Sequence, residues 1–155
     1  MKLSDYLDAH HIRIPLRSTT KEDILRELVS LLPSATDDDR AEQLFEAVLE
    51  RESRMSTGIG QGVAIPHGKC DLVQDMEVAF GVAERPIEYE ALDGDPCSIF
   101  FLLVSRPELT GPHIKALAQI SRMLTSDSVR DELAAADDAD AVLALFRREE
   151  ALAEE

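Results

Sequence analysis

Apolar residues recur along this chain with two periods, and the changes between them mark out its elements. Over Lys21–Leu32 the residues Ile24, Leu25, Leu28, Val29 and Leu32 form one stripe at helical spacing. Ser18 and Thr19 stand as candidate N-caps, and Pro33 supplies the stop. A second stripe of Leu44, Phe45, Val48 and Leu49 follows Asp37–Asp39, whose charges suit a helix N-terminus, so a second helix is expected to about Ser53. Near the start, an amphipathic piece at Leu3–Leu7 precedes Ile12 and Ile14, which alternate with His11 and Arg13 as in a short strand. Val63–Ile65 reads as a strand end running into Pro66-His67. Met76–Ala83 is a further strand, broken by Arg85-Pro86, with Ile87–Glu90 as a short edge piece. After the turn Asp93-Gly94-Asp95-Pro96, the run Ser98–Ser105 is apolar on both faces, as a central strand covered by helices on each side would be. A third helix begins at Thr110-Gly111-Pro112-His113, with Ile114, Leu117, Ile120 and Leu124 as its expected buried stripe. Ser128–Ala135 and Asp138–Arg148 read as two more amphipathic helices, and Ala151–Glu155 as a frayed acidic tail.

Length and charge narrow this picture. A chain of 155 residues is the size of one domain, which buries roughly two-thirds of its unfolded surface and needs no staples. The longest apolar run, Ile99–Val104, is far short of the ~20 residues that span a bilayer, and MKLSDYLDAHHIRIPL has no signal-peptide character. A soluble protein without membrane insertion is expected. Cys70 and Cys97 form no C-x-x-C pair and are too few for a disulfide scaffold, so a reduced, cytoplasmic setting with packing roles is the plain reading. Thirty-one acidic residues against sixteen basic ones repel nucleic-acid phosphates over most of the surface, which argues against DNA and RNA. The same field favours a partner with a basic face, or serves solubility alone.

Candidate chemistry concentrates in Ser56–Lys69, STGIGQGVAIPHGK. Gly58, Gly60 and Gly62 alternate there, a density tolerated where the backbone takes φ > 0 or approaches another group closely. His67 follows between Pro66 and Gly68, which have little side chain to hide it. Familiar nucleotide motifs fail by spacing: Gly62 and Gly68 are one residue too far apart for a P-loop, and the glycines spell G-x-G-x-G after a helix. No G-x-S-x-G elbow is present. His67 and Cys70 have an H-x-x-C spacing with no second pair, and the adjacent His10 and His11 point in different directions, so no metal is expected.

A neutral imidazole has a free lone pair near pH 7 and can accept a phosphoryl group, provided donors balance the charge in transfer. Glycine-loop amides, a helix N-terminus and an arginine can all serve. His113 lies at a helix start, and Arg51 and Arg54 in the last turns before the glycine loop, where they can also simply complement the macrodipole. From the residues alone, catalysis, a structural role and plain hydrogen bonding all stay open for His67.

Arg51-Glu52, STGIG at Ser56–Gly60, AIPHGK at Ala64–Lys69 and a histidine opening a later helix together form a pattern. It resembles the enzyme IIA domains of the fructose/mannitol class of the bacterial phosphotransferase system, most of all their stand-alone nitrogen-related members. The resemblance covers most of the chain. It implies a single α/β domain over residues 1–155, with a mixed, mostly parallel sheet sandwiched between helical layers. It also implies that His67 accepts phosphate, at Nε2, from a histidine phosphocarrier protein. Arg51 and His113 would stabilise the phosphoryl group, with Ser56, Thr57 and Gly58 in the matching loop. No cofactor and no metal are implied. Within these residues there is neither a sugar-specific partner domain nor a membrane segment, which favours regulation by phosphorelay. The alternatives are sugar uptake through a separate enzyme IIB and a non-catalytic module that controls regulatory targets.

Overall fold

The computed structural model describes residues 2–153. Two long strands, β5 (Met76–Ile87) and β6 (Cys97–Ser105), pair antiparallel and form the spine of a six-stranded sheet. Around them lie β1 (Ile12–Leu16), β2 (Gly58–Gly60), β3 (Val63–Ala64) and β4 (His67–Lys69). The order is β1-β5-β6-β3-β2, and β4 continues beyond β3 along the same edge of β6. Parallel pairings are in the majority (β1 with β5, β3 and β4 with β6), while β5/β6 and β2/β3 are antiparallel. The sheet is therefore mixed, and its longest ladder is the antiparallel one.

The two-sided character of β6 follows from its pleat. Phe101 and Leu103 join Val78 and Phe80 on one face, against Ala116, Ile120 and Leu124 of α3 (Thr110–Leu124). Val129 and Leu133 of α4 (Asp127–Ala134) and Val142 and Phe146 of α5 (Ala139–Ala153) complete that layer. Phe100, Leu102 and Val104 face the other way. There they meet Ile24, Leu25 and Leu28 of α1 (Lys21–Val29) and Leu44, Phe45 and Val48 of α2 (Asp38–Arg54). The result is the expected α-β-α sandwich.

Several boundaries differ from the sequence expectation, each for a local reason. Arg85-Pro86 does not end β5, because the ladder shifts register there: the five steps from Val82 to Ile87 lie against two on β6, and the bulge absorbs the missing proline N–H. Thr20, not Ser18 or Thr19, caps α1 by accepting from the Asp23 N–H, while Ser18 bonds to Glu27. In α2 the buried face continues from Val48 to Glu52, which leaves Leu49 36% exposed at its edge. The buried stripe of α3 is His113, Ala116, Ile120 and Leu124, one position out of phase with the expected one at its start, so Ile114 is 62% exposed. α5 runs on through Ala151–Ala153, where a frayed tail was expected; Glu154 and Glu155 lie outside the described residues.

β4 sits on the C-terminal half of β6, with His67 opposite Leu103 and Lys69 opposite Ser105. α2 crosses it at very short range. A Cβ on Gly68 would stand 3.1 Å from the carbonyl of Ala47 and the amide of Val48, a contact tight enough that any side chain there would press on the helix backbone.

Candidate functional site

The half-buried His67 opens β4, and its Nδ1 lies 2.8 Å from the carbonyl oxygen of Ile65. A carbonyl can only accept, so the neutral ring carries its hydrogen on Nδ1 and keeps a lone pair on Nε2. Burial pushes its pKa below the ordinary value, the Ile65 carbonyl pulls partly back, and the charge of Arg51 pushes further down. The ring is held neutral, with Nε2 unprotonated.

Two other elements, α2 and α3, bring groups to the same place. Arg51, near the end of α2, donates through Nη1 to the carbonyl of Met55 at 2.8 Å, so it satisfies an orphan carbonyl past the helix while lining the cavity with His67. His113 lies in the first turn of α3, its ring centroid 5.6 Å from that of His67 and inclined at 63°. Its Nδ1 is 2.6 Å from the buried hydroxyl of Ser105. Burial, then the neighbouring His67 and Lys69, push its pKa down to about 4, so it is neutral at pH 7. Lys69 stands two residues beyond His67 on the same face of β4 and donates to Thr110 Oγ1 at 3.1 Å. Arg54 also lines the cavity, but its guanidinium is turned back on Glu50 at 2.6 Å. The open cleft between them measures about 830 Å³, and exposed Ile114 forms part of its wall.

Ser56, Thr57 and Gly58 do not line this cavity. Thr57 is buried, its N–H donating to both carboxylate oxygens of Glu52 (3.0 and 3.1 Å) and its hydroxyl lying between Glu52 and Tyr89. Lys21 completes that cluster, its Nζ 2.9 Å from Glu52. The Ser56 hydroxyl accepts from the Gly58 N–H, and a Cβ on Gly58 would come within 2.6 Å of Ala91. Gly60, Gln61 and Gly62, at φ of 99°, 59° and 77°, turn the β2–β3 hairpin at the edge of the sheet. The glycine amides therefore shape a hairpin and are not gathered around His67. His10 and His11 belong to a separate 3-10 turn, Ala9–His11, outside the cavity.

Sequence reasoning missed Lys69 and Ser105. The alternation of a strand places Lys69 beside His67, and Ser105 is the polar terminus of an otherwise apolar run; both signals were present.

This is an α/β sandwich with a neutral imidazole in a cation-bearing cleft at the end of its central strand. Residues 5–149 match the family described as phosphoenolpyruvate-dependent sugar phosphotransferase system, EIIA 2. The chain is 34% identical over 147 residues to a nitrogen regulatory protein of Bradyrhizobium diazoefficiens, covering 94% of this chain and 95% of that one. It is also 34% identical over 148 residues to the PTS system fructose-specific EIIABC component of Bacillus subtilis, covering 96% of this chain but only 23% of that longer protein. Among solved structures, nitrogen regulatory protein IIA-Ntr from Neisseria meningitidis superposes with a TM-score of 0.86 at 31% identity, over 93% of this chain and 98% of that one. The chain belongs to the EIIA 2 family of the phosphotransferase system. None of its described helices is long and apolar enough to cross a membrane.

Proposed function

We propose that this protein is the phosphoryl acceptor of a phosphohistidine relay, taking phosphate from a histidine phosphocarrier protein onto His67. The carrying observation is the 2.8 Å contact between Nδ1 and the Ile65 carbonyl, which leaves the Nε2 lone pair for the cavity shared with Arg51 and His113. In the transfer, Nε2 forms a bond to phosphorus as the P–N bond to the carrier breaks, and the carrier nitrogen keeps that electron pair. The proton on Nδ1 stays against the Ile65 carbonyl as the ring gains positive charge. Arg51 balances the charge on the equatorial oxygens, a role in which positioned cations act strongly because the phosphoryl group itself needs little covalent help. No nucleotide and no metal takes part. The relay draws on phosphoenolpyruvate and operates in the cytoplasm.

Similarity along nearly the whole length of a nitrogen regulatory protein supports a regulatory role, in which the phosphorylation state of His67 is the signal to target proteins. Equal identity to a fructose-specific EIIABC component supports a second reading, in which phosphate passes on to an enzyme IIB for sugar uptake. Incubation with phosphoenolpyruvate, enzyme I and the carrier should give an acid-labile, base-stable phosphate that is absent from His67→Ala. An unlabelled wild-type protein would leave only a non-catalytic binding module. Chasing the label onto an added fructose-type enzyme IIB separates uptake from regulation.

A further inference from the structure

Ser105 closes β6, after a run from Ile99 to Val104 in which every residue is apolar. It is fully buried, and its Oγ sits 2.6 Å from Nδ1 of His113. Its backbone ties the site together as well: Ser105 stands opposite Lys69, and its carbonyl accepts from the Cys70 N–H at 3.0 Å. The end of β6 is thereby joined to the segment that carries His67.

A serine hydroxyl can donate or accept, and against a neutral imidazole the choice has a consequence across the ring. If Nδ1–H donates to Oγ, Nε2 of His113 is left with a lone pair. If Oγ–H donates to Nδ1, the hydrogen of the ring sits on Nε2. Nδ1 is occupied by Ser105, so Nε2 is the nitrogen available to the cavity. Phosphoryl oxygens only accept, and a lone pair turned toward them would repel. Protonating the ring is a poor route to a donor here, since burial, with the charge of Lys69 beside it, keeps it neutral.

We propose that Ser105 is a positioning residue that donates to Nδ1 and holds His113 as its Nε2–H tautomer, so that a neutral histidine offers a hydrogen-bond donor to the phosphoryl group on His67. This rests on the reading of His67 as the phosphoryl acceptor.

The ¹⁵N spectrum of His113 in the unphosphorylated protein tests it first. The wild type and Ser105→Thr should show the Nε2–H tautomer, and Ser105→Ala a mixture of both. The equilibrium constant for phosphate exchange with the carrier, read by ³¹P NMR, should fall about tenfold in Ser105→Ala and stay within about twofold in Ser105→Thr, as expected for loss of one hydrogen bond to a charged group. An Nδ1–H tautomer in the wild type overturns the proposal. So does a folded Ser105→Ala that keeps both the wild-type tautomer and the wild-type equilibrium. Should Ser105→Ala not fold, the wild-type spectrum decides by itself. A wild-type His67 that takes no phosphate overturns the relay and leaves the tautomer measurement standing, so the two failures are distinguishable.

Discussion

The hairpin at Gly58–Ala64 and the strand His67–Lys69 belong to one continuous glycine-rich stretch, yet they do opposite work. Around the hairpin, glycines and hydroxyls build structure: Gly58 packs on Ala91, and Thr57 is locked to a buried carboxylate. In the strand, one glycine serves the site itself, because Gly68 lets α2 lie against β4 and so brings Arg51 toward His67. Glycine density signals a close approach; what approaches is decided by elements far away in sequence. The loop amides expected around His67 are absent from its cavity, which is lined instead by side chains from α2, β4 and α3.

Breaking each region separately should give mirror-image results. Glu52→Ala removes the carboxylate that holds Lys21, Thr57 and the hairpin start, and should lower unfolding free energy by about 3 kcal/mol. Denaturant titration measures this, and the folded fraction should still label on His67. Arg51→Ala should do the reverse, slowing phosphate uptake from the carrier by roughly 100-fold in rapid-quench assays while shifting stability by less than about 1 kcal/mol. A Glu52 variant that is stable but unlabelled, or an Arg51 variant that labels at the normal rate, would show that the division is misdrawn.

Acid should act at the site. His113 titrates at about 4 in the fold against an ordinary value near 6.5, so the unfolded chain binds more protons between those limits. Its contribution to stability is fully present above pH 6.5 and is lost progressively as pH falls toward 4. Denaturant midpoints should decline over that window, and His113→Gln should flatten the decline. His67 is depressed in the same direction, so labelling should persist below pH 6.5 instead of falling at the ordinary histidine pKa. The smallest effect is expected at Ile114, on the cavity wall: Ile114→Ser should leave the melting temperature within about a degree, whereas Ile120→Ser, in the fully buried stripe, should lower it by several degrees.

Helices and the central strand were legible because burial imposes its period on the sequence: Ile24 to Val29 in α1 and the two-sided run of β6 admit few other structures. The start of the α3 stripe was misread because His113 takes a core position that an apolar pattern assigns to Ile114. Pro86 read as a strand end, since the bulge that accommodates it depends on β6 and not on its neighbours in sequence. His67, Arg51 and His113 were each visible as candidates, and the structure brings them to one cavity. Ser56, Thr57 and Gly58 lie away from that cavity because other partners hold them: Thr57 bonds Glu52, Ser56 bonds the Gly58 amide, and Gly58 packs on Ala91.

The Ile65 carbonyl also settles a matter of chemical longevity. By keeping the hydrogen of the His67 ring on Nδ1, a single peptide oxygen chooses the regioisomer of any phosphohistidine formed at this position. How quickly such a mark decays in water is thus set by the backbone two residues upstream, before a partner has docked.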